Sequence, residues 1–122
     1  MTIDAVSLIR GHAKLLNNIS LDLPAAQLIA LLGPNGAGKT SLINCASAAI
    51  KLPEGKVLLN GVDVQQLSAK PRARQLAVLP QQSTLNFPFL LKEVISIGRY
   101  PQDTGRVVDP EMAHTLLHLL PY

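Results

Sequence analysis

Residues 33 to 40 read Gly33-Pro34-Asn35-Gly36-Ala37-Gly38-Lys39-Thr40, the G-x-x-x-x-G-K-[ST] spelling of a phosphate-binding loop. A triphosphate has to be wrapped by backbone N–H donors pointing at its oxygens. Glycines let the backbone approach that closely and take positive φ angles. A helix must begin directly after the loop, so that its unpaired N–H groups and its dipole face the anion. Lys39 supplies a charge for the β and γ oxygens, and the Thr40 hydroxyl can hold a Mg²⁺ that bridges them.

The flanking residues fit that task. Leu28-Ile29-Ala30-Leu31-Leu32, just before the loop, reads as a short buried parallel strand. Thr40 to Ile50, rich in Leu, Ile and Ala and free of Pro and Gly, reads as the helix. Upstream, Ile3 to Ile9 and Leu15 to Leu23 read as strands around a turn at Arg10-Gly11-His12-Ala13. Downstream, Pro53-Glu54-Gly55 reads as a turn. Asn60-Gly61 between Val57-Leu58-Leu59 and Val62-Asp63-Val64 is a strong two-residue hairpin signal. A short helix is predicted over Ser68 to Arg74 and a second apolar strand over Leu76 to Leu79, closed by Pro80. Gln81 to Pro88 reads as a loop, Leu90 to Gly98 as a helix and Tyr100 to Asp109 as a loop. A last helix opens with Asp109 as N-cap and Pro110 at its first position.

Composition narrows the class. The 122 residues are 48% apolar, enough for the core of one small domain, and only 3% aromatic, so that core must be aliphatic. No long apolar run and no signal-peptide pattern occurs, which predicts a chain that neither spans a membrane nor is secreted. The single Cys45 excludes an internal disulfide and suits a reducing compartment. A net charge of +3 fits an anionic ligand without demanding nucleic acid.

A second marker stands at Leu79-Pro80-Gln81. A glutamine just after a strand, some forty residues past the phosphate loop, resembles the Q-loop of the ATP-binding cassette (ABC) ATPases. The Gly-Pro-Asn-Gly-Ala-Gly-Lys spelling and the Asn60-Gly61 hairpin are similar to that family too. Phe87-Pro88-Phe89, Glu93-Val94 and Gly98-Arg99-Tyr100-Pro101 resemble ATPase subunits of importers for heme, iron–siderophore and vitamin B12, with Phe-Pro-Phe leaning toward heme. The resemblance runs from about Ile3 to Leu120. It implies an α/β fold: a P-loop NTPase core with N-terminal antiparallel β elements. Residues 1–81 would form the ATP-binding core, and 82–122 the Q-loop and the start of a helical subdomain. It implies ATP and Mg²⁺ as ligands. Gly33, Pro34, Asn35, Gly36, Ala37, Gly38, Lys39, Thr40, Ser41 and Gln81 would line the nucleotide site, with Thr40 and Gln81 as the Mg²⁺ contacts. It implies as partners a second nucleotide-binding subunit in a homodimer, membrane permease subunits met by about residues 83–100, and, indirectly, a periplasmic or surface substrate-binding protein. The place would be the cytoplasmic face of a bacterial inner membrane.

Three departures from the family pattern stand out. Where the family often stacks adenine on an aromatic near the end of the first strand, this chain has Arg10, whose guanidinium plane can stack instead. Ala25-Ala26-Gln27 replaces the usual Pro-Gly-Glu turn. The chain carries no Ser-Gly-Gly-Gln signature, no acidic strand end for the second side of the Mg²⁺ and water site, and no later catalytic glutamate or switch histidine. It looks like the N-terminal half of a nucleotide-binding domain, with no catalytic residue of its own and negligible hydrolysis expected from it alone.

Other residues have ordinary readings. His114 and His118 have a spacing that can bind metal or heme, but without a third ligand they read as plain helix histidines. Lys70, Arg72 and Arg74 read as a solvated helix face, with no interleaved aromatics to suggest nucleic acid. Cys45 reads as a small buried apolar residue. Phe87 and Phe89 are either local core or partner anchors. Two functions remain open: an ATPase subunit driving heme or related iron-chelate import, and a catalytically inactive fragment that binds nucleotide. A GTPase or small-molecule kinase is disfavoured, because no Asn-Lys-x-Asp element appears.

Overall fold

A turn at Gly11-His12 folds β1 (Thr2–Arg10) back on β2 (Ala13–Asp22), as the alternating aliphatic residues predict. The computed structural model describes residues 1–80 and 90–102. The chain divides into two units, Met1–Arg72 and Ala73–Tyr122.

In the first unit, β3 (Glu54–Leu59) adds to the free edge of β1, and β4 (Val62–Asp63) follows. The sheet order is β2-β1-β3-β4, antiparallel throughout. The β3–β4 turn is Asn60-Gly61, both with positive φ (52° and 82°), as a tight hairpin of matching twist requires. The β1–β2 ladder is irregular, and hydroxyls fill its gaps. The Ala5 N–H donates to Ser20 Oγ (3.0 Å), and the Asn18 N–H donates to Ser7 Oγ (2.9 Å). Near the turn the pairing steps from Leu8–Leu16 to Ile9–Lys14, which leaves Leu15 as an extra residue in β2.

The sheet buries one face against α1 (Lys39–Ala46). Ile3, Val6, Leu8, Leu16 and Val57 from the strands, Val64 just past β4, and Leu42 and Cys45 from α1 form one cluster. Leu42 and Cys45 lie three apart on α1, so they share a face. Among the described residues this cluster is aliphatic apart from Cys45.

Four expectations are corrected. The helix ends at Ala46, not Ile50. Although no glycine is present, Ala48 takes φ 55°, and its N–H donates to the Cys45 carbonyl (3.0 Å) while the Ala49 N–H donates to that of Asn44 (2.9 Å). This is the paired arrangement that closes many helices. Pro53-Glu54-Gly55 is not a free turn, because β3 already starts at Glu54. Gly55 (φ 79°) passes so close to the bulged Ala5 that a Cβ would strike its carbonyl. Finally, neither Leu28–Leu32 nor Leu76–Leu79 is a strand. A parallel strand needs a hydrogen-bonded neighbour brought in by a crossover, and no strand among the described residues pairs with either run. Both stay largely exposed, with Leu32 at 87% and Leu79 at 93%.

The second unit contains α2's last residue and α3. α2 (Ala69–Ala73) matches the helix predicted over Ser68 to Arg74, and α3 (Leu91–Arg99) the one over Leu90 to Gly98. Glu93 closes the start of α3 by accepting from the Leu90 N–H (2.8 Å), and a 3₁₀ turn at Tyr100–Gln102 follows. The Arg74 guanidinium donates to the Pro101 carbonyl (2.5 Å). No helix among the described residues is long and apolar enough to cross a membrane. Gln81, Phe87, Phe89, His114, His118 and the helix predicted from Asp109 lie outside the described residues.

Candidate phosphate-binding site

The loop 33–38 leaves the exposed 28–32 run and closes on the first turn of α1. Gly38 (φ 87°) makes the corner, and its carbonyl accepts the first helical bond, from the Leu42 N–H at 2.8 Å. No side chain caps the start of α1, and its first turn holds no acidic residue. Within α1 and its cap, the N–H groups and the positive end of the helix dipole therefore meet no carboxylate that would compete with an anionic ligand. Gly33 to Ala37 and Thr40 are exposed, whereas Gly38, Lys39 and Ser41 are half-buried.

The Lys39 ammonium folds back over the loop. It donates to the carbonyls of Gly33 and Pro34, at 2.6 Å each. Pro34 has no N–H to offer a phosphate. Its carbonyl instead accepts from Lys39 and from the Ala37 N–H (3.2 Å), so it braces the loop from within. Lys39 thereby stands at the mouth of the loop, with Thr40 and Ser41 following on the first helical turn. The nine predicted residues Gly33 to Ser41 lie together in the loop and the first turn of α1, whereas Gln81 lies outside the described residues.

Gly38 has a second reason to be glycine. A Cβ there would lie 2.6 Å from the Leu15 carbonyl oxygen and 3.1 Å from Leu16 Cδ2. The corner is thus seated against β2. These contacts are not legible in the sequence, because alternation through β2 gives no sign of the extra residue at Leu15. Behind the loop, Cys45 is fully buried, and burial pushes its thiol pKa up. It packs and has none of the features of a reactive thiolate.

The family described as ABC transporter matches residues 16–119, most of the chain. The chain belongs to the ABC transporter family. It is 43% identical over 108 residues to the hemin import ATP-binding protein HmuV of Pseudomonas fluorescens, covering 88% of this chain and 42% of that protein. With HmuV of Pseudomonas putida it shares 39% over 117 residues, covering 96% and 46%. The chain thus spans less than half the length of these relatives. Among solved structures, the dimeric ATP-binding cassette MJ0796 bound to ADP and Pi superposes with a TM-score of 0.78 at 20% identity. That match covers 96% of this chain and 54% of the other, and it establishes the shared ABC ATPase fold.

Proposed function

We propose that this ABC chain is the phosphate-binding portion of the ATP-binding subunit of a bacterial importer whose cargo is hemin. The observation that carries the nucleotide reading is the uncapped start of α1 with the Lys39 ammonium held over the loop at its mouth. The hemin reading rests on relatives that bear that name and share 43% and 39% of residues with this chain.

The loop N–H groups and the first turn of α1 bind the phosphate oxygens. Lys39 leaves its two carbonyls and turns to the β and γ oxygens, exchanging neutral acceptors for charged ones. Thr40 offers a hard hydroxyl oxygen, the type of ligand Mg²⁺ takes, and Gln81 is assigned to the same ion. Bound Mg²⁺ would neutralise charge on the phosphates. Residues 1–81 act as the nucleotide-binding core and 82–122 as the start of the helical subdomain. About residues 83–100 meet the permease. Among the described part of that stretch, Leu90, Ile97 and Tyr100 are exposed, which supports a partner surface there. A second nucleotide-binding subunit completes a dimer at the cytoplasmic face of the membrane. This chain by itself binds nucleotide without turning it over, since its sequence carries no signature motif or catalytic glutamate.

Calorimetry tests the reading. Lys39→Ala removes a charge-assisted contact of about 2 kcal/mol, so MgATP affinity should fall about 30-fold. Equal affinities in the two proteins would sink it. Steady phosphate release from the purified chain, lost in Lys39→Ala, would overturn the claim of inactivity.

A further inference from the structure

We infer that the irregular step in β2 at Leu15–Leu16 is the seat of the phosphate loop, and that Leu16 is a positioning residue for nucleotide binding. This deepens the nucleotide reading above and rests on it. The register passes from Leu8–Leu16 to Ile9–Lys14, so Leu15 has no opposite partner on β1. A bulge of this kind re-aims backbone groups out of the ladder. Here the Leu15 carbonyl lies 2.6 Å from where a Cβ on Gly38 would stand, and Leu16 Cδ2 lies 3.1 Å from it. Leu16 supplies the side-chain atom nearest to the corner that opens α1. It is also 5% exposed and packed in the same cluster as Leu42 and Cys45 of that helix.

Leu16 therefore touches the core on one side and the loop corner on the other. The direction of the first-turn N–H groups depends on where Gly38 sits. A void beneath it lets the corner shift, and a donor array loses strength steeply when it is misplaced by a fraction of an ångström. Leu8 is the natural control. It is the register partner of Leu16, is 7% exposed, and belongs to the same cluster. None of its atoms is among the three nearest to the Gly38 corner.

The test compares Leu16→Ala, Leu8→Ala and Leu16→Met in the full chain by urea denaturation, by amide hydrogen exchange at residues 36–41 without nucleotide, and by MgATP titration. Both alanine variants should lose similar stability. Leu16→Ala alone should speed exchange in the loop and weaken MgATP about tenfold, with Leu16→Met restoring both. Should an alanine variant fail to fold, Leu16→Val against Leu8→Val carries the same comparison. Equal loop exchange in the Leu16 and Leu8 variants would overturn the inference. Selective loop exchange in a chain whose parent does not bind MgATP would uphold the positioning role and defeat the nucleotide reading instead.

Discussion

β1 and the wholly apolar Leu28–Leu32 run have opposite fates. In β1, Ile3, Val6 and Leu8 are buried, and ladders form on both edges. In the run before the phosphate loop, Leu28, Ile29, Leu31 and Leu32 are exposed and no ladder forms. Apolar content alone does not decide burial, because the more apolar segment is the exposed one. The difference is where the partner strand lies. β1 meets β2 after a two-residue turn, and β3 arrives antiparallel from within the same unit. The Leu28–Leu32 run has the character of a central parallel strand, which gains burial only when other strands flank it. An apolar pentad is thus a strand only in company. The phosphate loop is held instead from its other end, through Gly38 on β2 and Leu42 in the core.

The largest expected effect breaks that contrast directly. Val6 is fully buried, so Val6→Asp places an unpaired carboxylate in the core and should abolish the cooperative urea transition. Leu28→Asp should change the unfolding free energy by no more than about 0.5 kcal/mol. Comparable losses from the two would mean that the pentad is packed. Next in size is the hairpin that keeps β3 and β4 local. Gly61 sits at φ 82°, where a β-branched side chain is strained, and Gly61→Val should cost about 1–2 kcal/mol by thermal or urea melting. A cost near zero would show that the turn can change type freely.

A smaller effect is expected from pH. Burial raises the Cys45 pKa in the folded chain above its unfolded value. The unfolded thiol then releases its proton first as pH rises, so stability falls with pH above the ordinary thiol value and the loss is complete once the folded thiol ionises. Below that value the group contributes no slope. Urea midpoints at pH 7 and pH 10 should diverge less in Cys45→Ala than in the parent. Identical divergence would place the source elsewhere. The smallest effect belongs to the Lys56–Asp4 pair, 3.5 Å apart with both side chains 52% exposed. Asp4→Asn should shift stability by less than about 0.5 kcal/mol and become undetectable at high salt. A larger shift would make the β1–β3 edge depend on charge rather than on its ladder.

Much of this was legible in the residues themselves. The β1–β2 hairpin, the Asn60-Gly61 turn, α2, α3 and the glycine loop that opens α1 all follow from short-range rules: turn chemistry, alternation, and glycines where a loop must turn into a helix. Each is satisfied by residues near one another in sequence, so the sequence determines it alone. Three features were decided only in three dimensions. Ala48 ends α1 in a left-handed conformation that no glycine announces. The Lys39 ammonium rests on the carbonyls of Gly33 and Pro34. The extra residue at Leu15 turns an apparently regular strand into the support of the loop. The exposure of Leu28–Leu32 belongs with them. A side chain's type fixes how much it gains from burial, but the supply of a neighbour to bury it is a property of the assembled chain.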